Sequence, residues 1–161
     1  MRAAGKQHRR AFTLAEVMVA LALVALIMTA AALGLQAAQT SHAYNAEKTE
    51  LVARVRGVLD RAARDLRRSA SFLVVDEHTL AVTLPDGTIH TYAWNGVAGG
   101  NLTYTETDSG GIVSNPAVLT GYVQTFTVTN TTPSCTIQIA QAGTRAATSI
   151  TISATPAKTL Y

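Results

Sequence analysis

The sequence predicts an α+β protein in which one long N-terminal helix, apolar in its first half and amphipathic in its second, packs on an antiparallel β-sheet. Three observations lead to this prediction. A nearly continuous apolar run occupies residues 17–35, no Pro or Gly interrupts residues 36–50, and strand-like alternation recurs from residue 72 onwards. With 161 residues, the chain is long enough for one modest domain beyond the apolar run.

The predicted organisation has four segments along the chain. They are a cationic leader at 1–11, a transmembrane helix at 12–35, its amphipathic continuation at 36–70 and a β-rich globular head at 71–161. Four of the thirteen Lys and Arg residues precede Phe12, which leaves nine against ten Asp and Glu in the rest of the chain. The basic character therefore belongs to the leader and does not indicate an acidic partner.

The apolar run is long enough to cross a membrane. In residues 17–35 only Thr29 and Gly34 are not apolar. At about 1.5 Å per helical residue this run nearly spans a hydrocarbon core of about 30 Å. The cationic residues before it predict, by the positive-inside rule, a cytoplasmic N-terminus and an exported C-terminal part.

One carboxylate, Glu16, lies at the front of this apolar run. A charged side chain within a bilayer costs about 2.5–3.5 kcal/mol on insertion scales. Its position therefore calls for a partner or a function.

The stretch Ala-Phe-Thr-Leu-Ala-Glu at residues 11–16, followed by the apolar run, resembles the type IV prepilin signal shared by type IV pilins and type II secretion pseudopilins. Phe12, Thr13, Leu14 and Glu16 fall on the family positions, whereas Ala11 stands where the family nearly always has Gly. The resemblance implies a pilin-like fold and cleavage between Ala11 and Phe12 by a prepilin peptidase. It also implies N-methylation of the new Phe12 amine.

The resemblance also implies a role for Glu16. Cleavage would create an α-ammonium at Phe12, at the depth of Glu16 and opposite to it in sign. In this family the carboxylate at this position pairs with the N-terminal amine of a neighbouring subunit and sets the register of the filament. Such a pair is strong at low dielectric, although desolvation offsets much of the gain.

The function expected from the resemblance is structural. The chain would be a minor pseudopilin or minor pilin, held in the inner membrane and then extracted into a periplasmic pseudopilus or a pilus. Its partners would be prepilin peptidase, other pilin or pseudopilin subunits, the lipid of the inner membrane, an assembly platform protein and a cytoplasmic ATPase.

Three alternatives remain open from the sequence. In the first, Glu16 reaches the headgroups from an ordinary anchor, and the protein is a periplasmic binding module that uses the helix as a tether. In the second, the apolar run is a secretory signal cut after residues 35–37, near Ala38. The third is a secreted enzyme whose site the sequence does not reveal.

The second half of the predicted helix carries one apolar face. Val52, Val55, Leu59, Ala62 and Leu66 recur at spacings of three and four, which suits packing against a sheet. Beyond the helix, alternation or β-rich composition predicts a sheet of five to seven strands. The candidate strands are residues 72–75, 80–84, 89–94, 102–107, 122–129, 136–140 and 148–154. A turn at residues 85–87 makes the second and third of these a hairpin.

The opposite helix face is rich in arginine. Arg54, Arg61, Arg64 and Arg68 line it, and three pairs stand at ion-pair spacing: Glu50 with Arg54, Asp60 with Arg64, and Asp65 with Arg68. Interleaved aromatic residues are missing from this sequence stretch and acidic residues are mixed in, so we expect a solvated face and no nucleic-acid partner. A contact with a neighbouring subunit is the alternative, because residues 46–70 carry net +3 and residues 71–161 carry net −3.

The sequence offers no recognisable catalytic or cofactor motif. His42, His78 and His90 stand in unrelated contexts and are interpreted as surface histidines, and no phosphate-binding loop is found. We expect no cofactor and no metal. Glu106 and Asp108 are a minor calcium candidate by family resemblance, but they lack the clustered oxygens that calcium requires. The single cysteine, Cys135, is predicted to be a buried small hydrophobe.

Overall fold

The computed structural model describes residues 13–131 and 134–156. These residues form two compact units, which divide between His42 and Ala43. One helix, α1, extends from Leu14 to Arg68 and contributes to both. The residue that follows it, Ser69, donates both its N–H and its hydroxyl to the carbonyl oxygen of Leu66.

The helix of the first unit exposes large apolar side chains on all sides. Leu14, Met18, Leu21 and Leu26 are between 63% and 79% exposed. The helix contains a stretch that is long and apolar enough to cross a membrane, and none of that stretch is buried within the protein. A helix that is apolar all round is stable when lipid or other helices cover it, so this surface fits a membrane anchor.

The second unit is a single antiparallel sheet packed on residues 43–68 of α1. Its seven strands lie side by side in chain order, which makes the sheet a simple meander. They are β1 Ser71–Asp76, β2 Thr79–Thr83, β3 Ile89–Trp94, β4 Gly100–Thr107, β5 Ala117–Thr131, β6 Ser134–Ala142 and β7 Ala147–Ala154. The predicted fold class, a long N-terminal helix on an antiparallel sheet, is confirmed.

The predicted hairpin is β2–β3. Leu80 lies opposite Tyr92 in its register, and the Leu84 N–H closes the turn on the Thr88 carbonyl oxygen. Asp86 in the turn accepts the Thr88 N–H at 2.9 Å, and this backbone hydrogen bond lowers the pKa of the Asp86 carboxyl below its usual value. The turn residues thus fix the hairpin through a local hydrogen bond.

Strand β5 changes its partner halfway along. Residues 117–123 pair with β4, residues 123–131 pair with β6, and the register shifts between Val123 and Thr125. Tyr122, at the change, has φ 57°, in the left-handed region that a non-glycine residue rarely adopts. The strand therefore begins five residues before the predicted residue 122, because the break in alternation at Gly121 is a bend within the strand and not its start.

The core lies between the helix and the inner face of the sheet. Helix residues Leu51, Val55, Val58, Leu59, Ala62, Ala63 and Leu66 are buried. All of these except Leu51 belong to one core cluster with strand residues that include Leu80, Tyr92, Phe126 and Ile137. Of the five residues predicted to form the apolar face of the helix, four are in the core. The fifth, Val52, is only partly buried, because the buried face includes Leu51 and Val58 instead.

Cys135 lies in this core and is fully buried. The prediction of a buried small hydrophobe is confirmed. Burial raises the pKa of the Cys135 thiol to about 11, which keeps the thiol protonated and unreactive at neutral pH.

The β1–β2 turn forms hydrogen bonds with the second half of β5, on the edge that β4 leaves unpaired. The Val128 N–H donates to the Glu77 carbonyl oxygen at 2.9 Å, and the His78 Nδ1 lies 2.8 Å from the Phe126 carbonyl oxygen. The His78 ring also stands edge-on to Trp94, with 4.9 Å between ring centroids. The His78 side chain is still 31% exposed, so it lies at the surface as predicted, but it also joins two distant parts of the sheet.

Glu47 fastens the helix to the turn between β6 and β7. Its carboxylate accepts the backbone N–H groups of Thr144, at 2.5 Å, and Arg145, at 3.0 Å. A Cβ atom at Gly143 would collide with the Glu47 carboxylate. The glycine is thus required for this close approach.

Only one of the three predicted helix ion pairs forms among the described residues. Glu50 and Arg54 pair at 2.5 Å, as predicted. The other two predictions are wrong, and for Asp65 the reason is clear, because it faces the sheet and not Arg68. The predicted solvated position is also wrong for Arg61, because its guanidinium carbon lies 3.9 Å from the centroid of the Tyr104 ring.

Candidate functional site

The start of α1 is shaped by Thr13, which occupies the N-cap position. The Thr13 carbonyl oxygen accepts the N–H groups of Glu16, at 3.0 Å, and Val17, at 3.2 Å. The Thr13 hydroxyl accepts the Glu16 N–H at 3.3 Å. The first N–H groups of a helix have no partner within the helix, and the Thr13 side chain supplies an acceptor for one of them, the Glu16 N–H.

Glu16 is the third residue of the helix, within its positive first turn. A carboxylate at this position is stabilised by the helix macrodipole, typically by about 0.3–1 kcal/mol at exposed sites. Beside it, Val17, Ala20, Leu21 and Val24 line a shallow apolar hollow. A single charge thus borders a surface that otherwise consists of hydrocarbon.

The structure brings two of the predicted signal residues together, Thr13 and Glu16, and places Leu14 as the first helical residue. Ala11 and Phe12 lie outside the described residues. The capping role of Thr13 was missed by the sequence reasoning. Its signal was present, because Thr followed three residues later by Glu is the capping-box pattern.

Residues 6–32 match the family model of the prokaryotic N-terminal methylation motif. Neither the search of the curated proteins nor that of the solved structures returned a match. The matched range contains the predicted cleavage point, Glu16 and all but the last three residues of the apolar run at 17–35. The chain therefore carries the prepilin-type signal of type IV pilins and pseudopilins, and its apolar helix fits anchoring in the inner membrane.

A second group of polar side chains lies between α1 and the sheet, around Asp65. The Asp65 Oδ2 atom is 2.7 Å from His90 Nδ1 and accepts the Tyr92 hydroxyl at 2.6 Å. The His90 and Asp65 side chains are 14% and 15% exposed. The interpretation of His90 as a surface histidine is therefore wrong. Burial, with the hydrogen bond to Asp65, raises the pKa of the Tyr92 hydroxyl far above its usual value.

This arrangement is suited to holding the helix on the sheet. A hydrolase would need a nucleophile hydrogen-bonded to the imidazole. In the described part of the chain the hydrogen-bond partner shown for His90 is Asp65. The prepilin-type motif likewise indicates a class of structural subunits.

The two minor calcium candidates, Glu106 and Asp108, form hydrogen bonds at the end of β4 and in the loop that follows it. The Asp108 carboxylate accepts the N–H groups of Gly110 and Ile112, at 2.9 and 2.8 Å. Glu106 Oε2 lies 3.3 Å from the Tyr104 hydroxyl. Residues 13–131 and 134–156 contain no group of three His, Cys, Asp or Glu side chains placed to hold a metal ion.

Replacing Asp65 by alanine is expected to lower the free energy of unfolding of the head by about 1–3 kcal/mol, because the Tyr92 hydroxyl and the His90 imidazole then lose their shared acceptor. The single tryptophan, Trp94, is only 7% exposed, so its fluorescence reports unfolding of the head in a urea titration. Asp60→Ala, an exposed position on the same helix, is the control and should change stability by less than about 0.5 kcal/mol. Equal effects of the two substitutions would contradict a structural role for the Asp65 contacts.

Proposed function

We propose that this chain is a structural subunit of a type II secretion pseudopilus or a type IV pilus. It is made as a precursor, cut between Ala11 and Phe12, N-methylated at Phe12 and assembled through its N-terminal helix. The observation that carries the proposal is the methylation motif at residues 6–32, which leads into an exposed apolar helix with one carboxylate at its start.

Charge balance supports this processing. From residue 12 to residue 46, Glu16 is the only Asp, Glu, Lys or Arg in the sequence. Cleavage before Phe12 adds one ammonium at the same end of the helix. Paired with the amine of a neighbouring subunit, the carboxylate loses much of the penalty it has alone in lipid.

The cationic leader and the apolar run give the expected orientation. By the positive-inside rule the N-terminus is cytoplasmic, and the β-rich head lies in the periplasm before assembly. The partners in this proposal are prepilin peptidase, other pilin or pseudopilin subunits and the inner membrane lipid. An assembly platform protein and an ATPase would supply the mechanical work.

Mass spectrometry of the mature N-terminus tests the processing directly. We expect the chain purified from its native membrane to begin at Phe12 with a methylated amine. In cells without prepilin peptidase it should retain residues 1–11. Ala11→Gly, which restores the usual family residue, is the control and should be processed at least as completely. A mature chain that begins at residue 1, or near Ala38, would contradict the proposal.

One observation favours a second candidate, a periplasmic binding module that uses the helix as a tether. Thr13 and Glu16 form a capping-box pattern, and the Thr13 cap is present within a single chain. Helix capping would then explain Glu16 without any neighbouring subunit. Substitutions at Glu16 that keep or remove the cap distinguish the two candidates, as described below.

A further inference from the structure

The last strand of the sheet, β7, is an edge without the usual protection. Residues 146–155 contain no Asp, Glu, Lys, Arg or Pro. Its eight residues pair with β6 in an unbroken register, with no bulge to twist the edge away. Among the described residues, no backbone hydrogen bond joins β7 to any segment other than β6. Such an edge is a template for another strand.

The opposite edge, β1, is protected in the ordinary way. Its register with β2 shifts between Val74 and Asp76. It is six residues long, ends at an acidic residue and follows the basic end of the helix at Arg67 and Arg68. The contrast shows that the open character of β7 is particular to this edge and not general to the sheet.

The core side of β7 is also incompletely covered. Ile137 and Ile139 of β6 are 1% and 0% exposed. Their register partners in β7, Ile152 and Ile150, are only partly buried. The core therefore continues to the sheet edge, where a further strand would bury the outer sides of these two isoleucines.

The sequence of β7 is complementary to itself. Residues 149–153 read Ser-Ile-Thr-Ile-Ser, the same in both directions. We propose that β7 pairs antiparallel with β7 of a second copy of this chain, about a two-fold axis at Thr151. Ser149 then lies opposite Ser153 of the other copy, Ile150 opposite Ile152, and Thr151 opposite its own equivalent.

This register matches side chains on both faces of the sheet. Isoleucines meet isoleucines on the core face, and hydroxyl groups meet hydroxyl groups on the outer face. Within the described residues, the charge nearest to the axis along the chain is Arg145, six residues away, so the two Arg145 residues would be roughly 40 Å apart. At that distance their repulsion is screened at physiological salt, where the Debye length is about 8 Å. The contact requires neither cleavage before Phe12 nor a filament, and so it is independent of the proposed function.

Cysteine cross-linking tests the contact and its register together. The variant Thr151→Cys, as the purified full-length chain in detergent, is oxidised with copper phenanthroline. We expect a covalent dimer, because directly opposed residues in an antiparallel pair have Cα atoms about 4.5–5.5 Å apart, within the range of a disulfide. The parent chain should stay monomeric on a non-reducing gel, since its one cysteine is buried.

A neighbouring position supplies the matched control. Ser149→Cys alone should give little dimer, because its two copies would be about 13 Å apart along the strands. A mixture of Ser149→Cys and Ser153→Cys chains should cross-link strongly. Unspecific association through the apolar helices would cross-link all exposed cysteines alike. If Thr151→Cys gives no dimer, or if Ser149→Cys alone gives as much, the proposal is wrong. Trp94 fluorescence confirms that each variant is folded.

Discussion

Replacing Glu16 by glutamine is expected to remove the chain from assembled filaments while leaving its membrane insertion intact. Glutamine is nearly the same size, but it cannot pair as a charge with the amine of a neighbouring subunit. Breaking a buried ion pair costs about 3–5 kcal/mol. Because each 1.4 kcal/mol is a factor of ten, incorporation should fall by at least about a hundredfold. Immunoblots of sheared filament and membrane fractions measure it.

The glutamine variant also separates charge pairing from helix capping. Glutamine is the other residue used at the third position of a capping box, so Glu16→Gln keeps that pattern and Glu16→Ala loses it. If pairing matters, the two variants are equally defective. If capping alone matters, Glu16→Gln behaves like the parent chain, and that result would overturn the assembly role of Glu16 and favour a tether.

Replacing Phe126 by alanine should have the largest effect on the stability of the head. Phe126 is 2% exposed and belongs to the core between the helix and the sheet. Truncating a buried phenylalanine costs about 3–5 kcal/mol, through lost transfer free energy and the cavity left behind. Since folded domains are stable by only about 5–15 kcal/mol, much of the stability of the head would be lost. Trp94 fluorescence in a urea titration measures the change.

Thr125→Ala is the matched control, because Thr125 is the preceding residue of the same strand and its side chain is exposed. It should change stability by less than about 0.5 kcal/mol. If Phe126→Ala were equally mild, the side chain would not be part of a close-packed core. The comparison separates packing from a general effect of substitution in β5.

The helix and most strands could be predicted because their signals are local. The apolar run and the spacing of Val55, Leu59 and Leu66 define the helix, and period-two alternation defines β2, β3, β6 and β7. The strand whose start was placed wrongly, β5, changes partner at Tyr122. A partner change depends on pairing between distant segments, and Gly121 looks locally like a strand end.

The histidine contacts could not be predicted for a related reason. His78 bonds to Phe126, 48 residues away, and His90 to Asp65, 25 residues away. The sequence shows that Asp65 lies three residues before Arg68, but not that its side chain turns towards the sheet. Helix spacing therefore predicted an ion pair that tertiary packing replaced.

In the signal segment the relevant contact is local, and the sequence pattern for it was present. Glu16 was conspicuous in the sequence because a charge in an apolar run has a known cost. Thr13 passed unnoticed as a cap, although the pattern Thr-x-x-Glu was present. The structure adds the hydrogen bond from the Glu16 N–H to the Thr13 hydroxyl, which shows that the signal residues also begin the helix.

The meander order of the sheet has a consequence for how the head is made. Each strand pairs with the strand that precedes it in the chain, so no strand must wait for a distant partner. Topologies rich in local contacts fold quickly, and folding that begins at the N-terminal end can proceed during synthesis. The head can therefore grow one strand at a time behind the helix, and β7 is added to β6 after the other six strands.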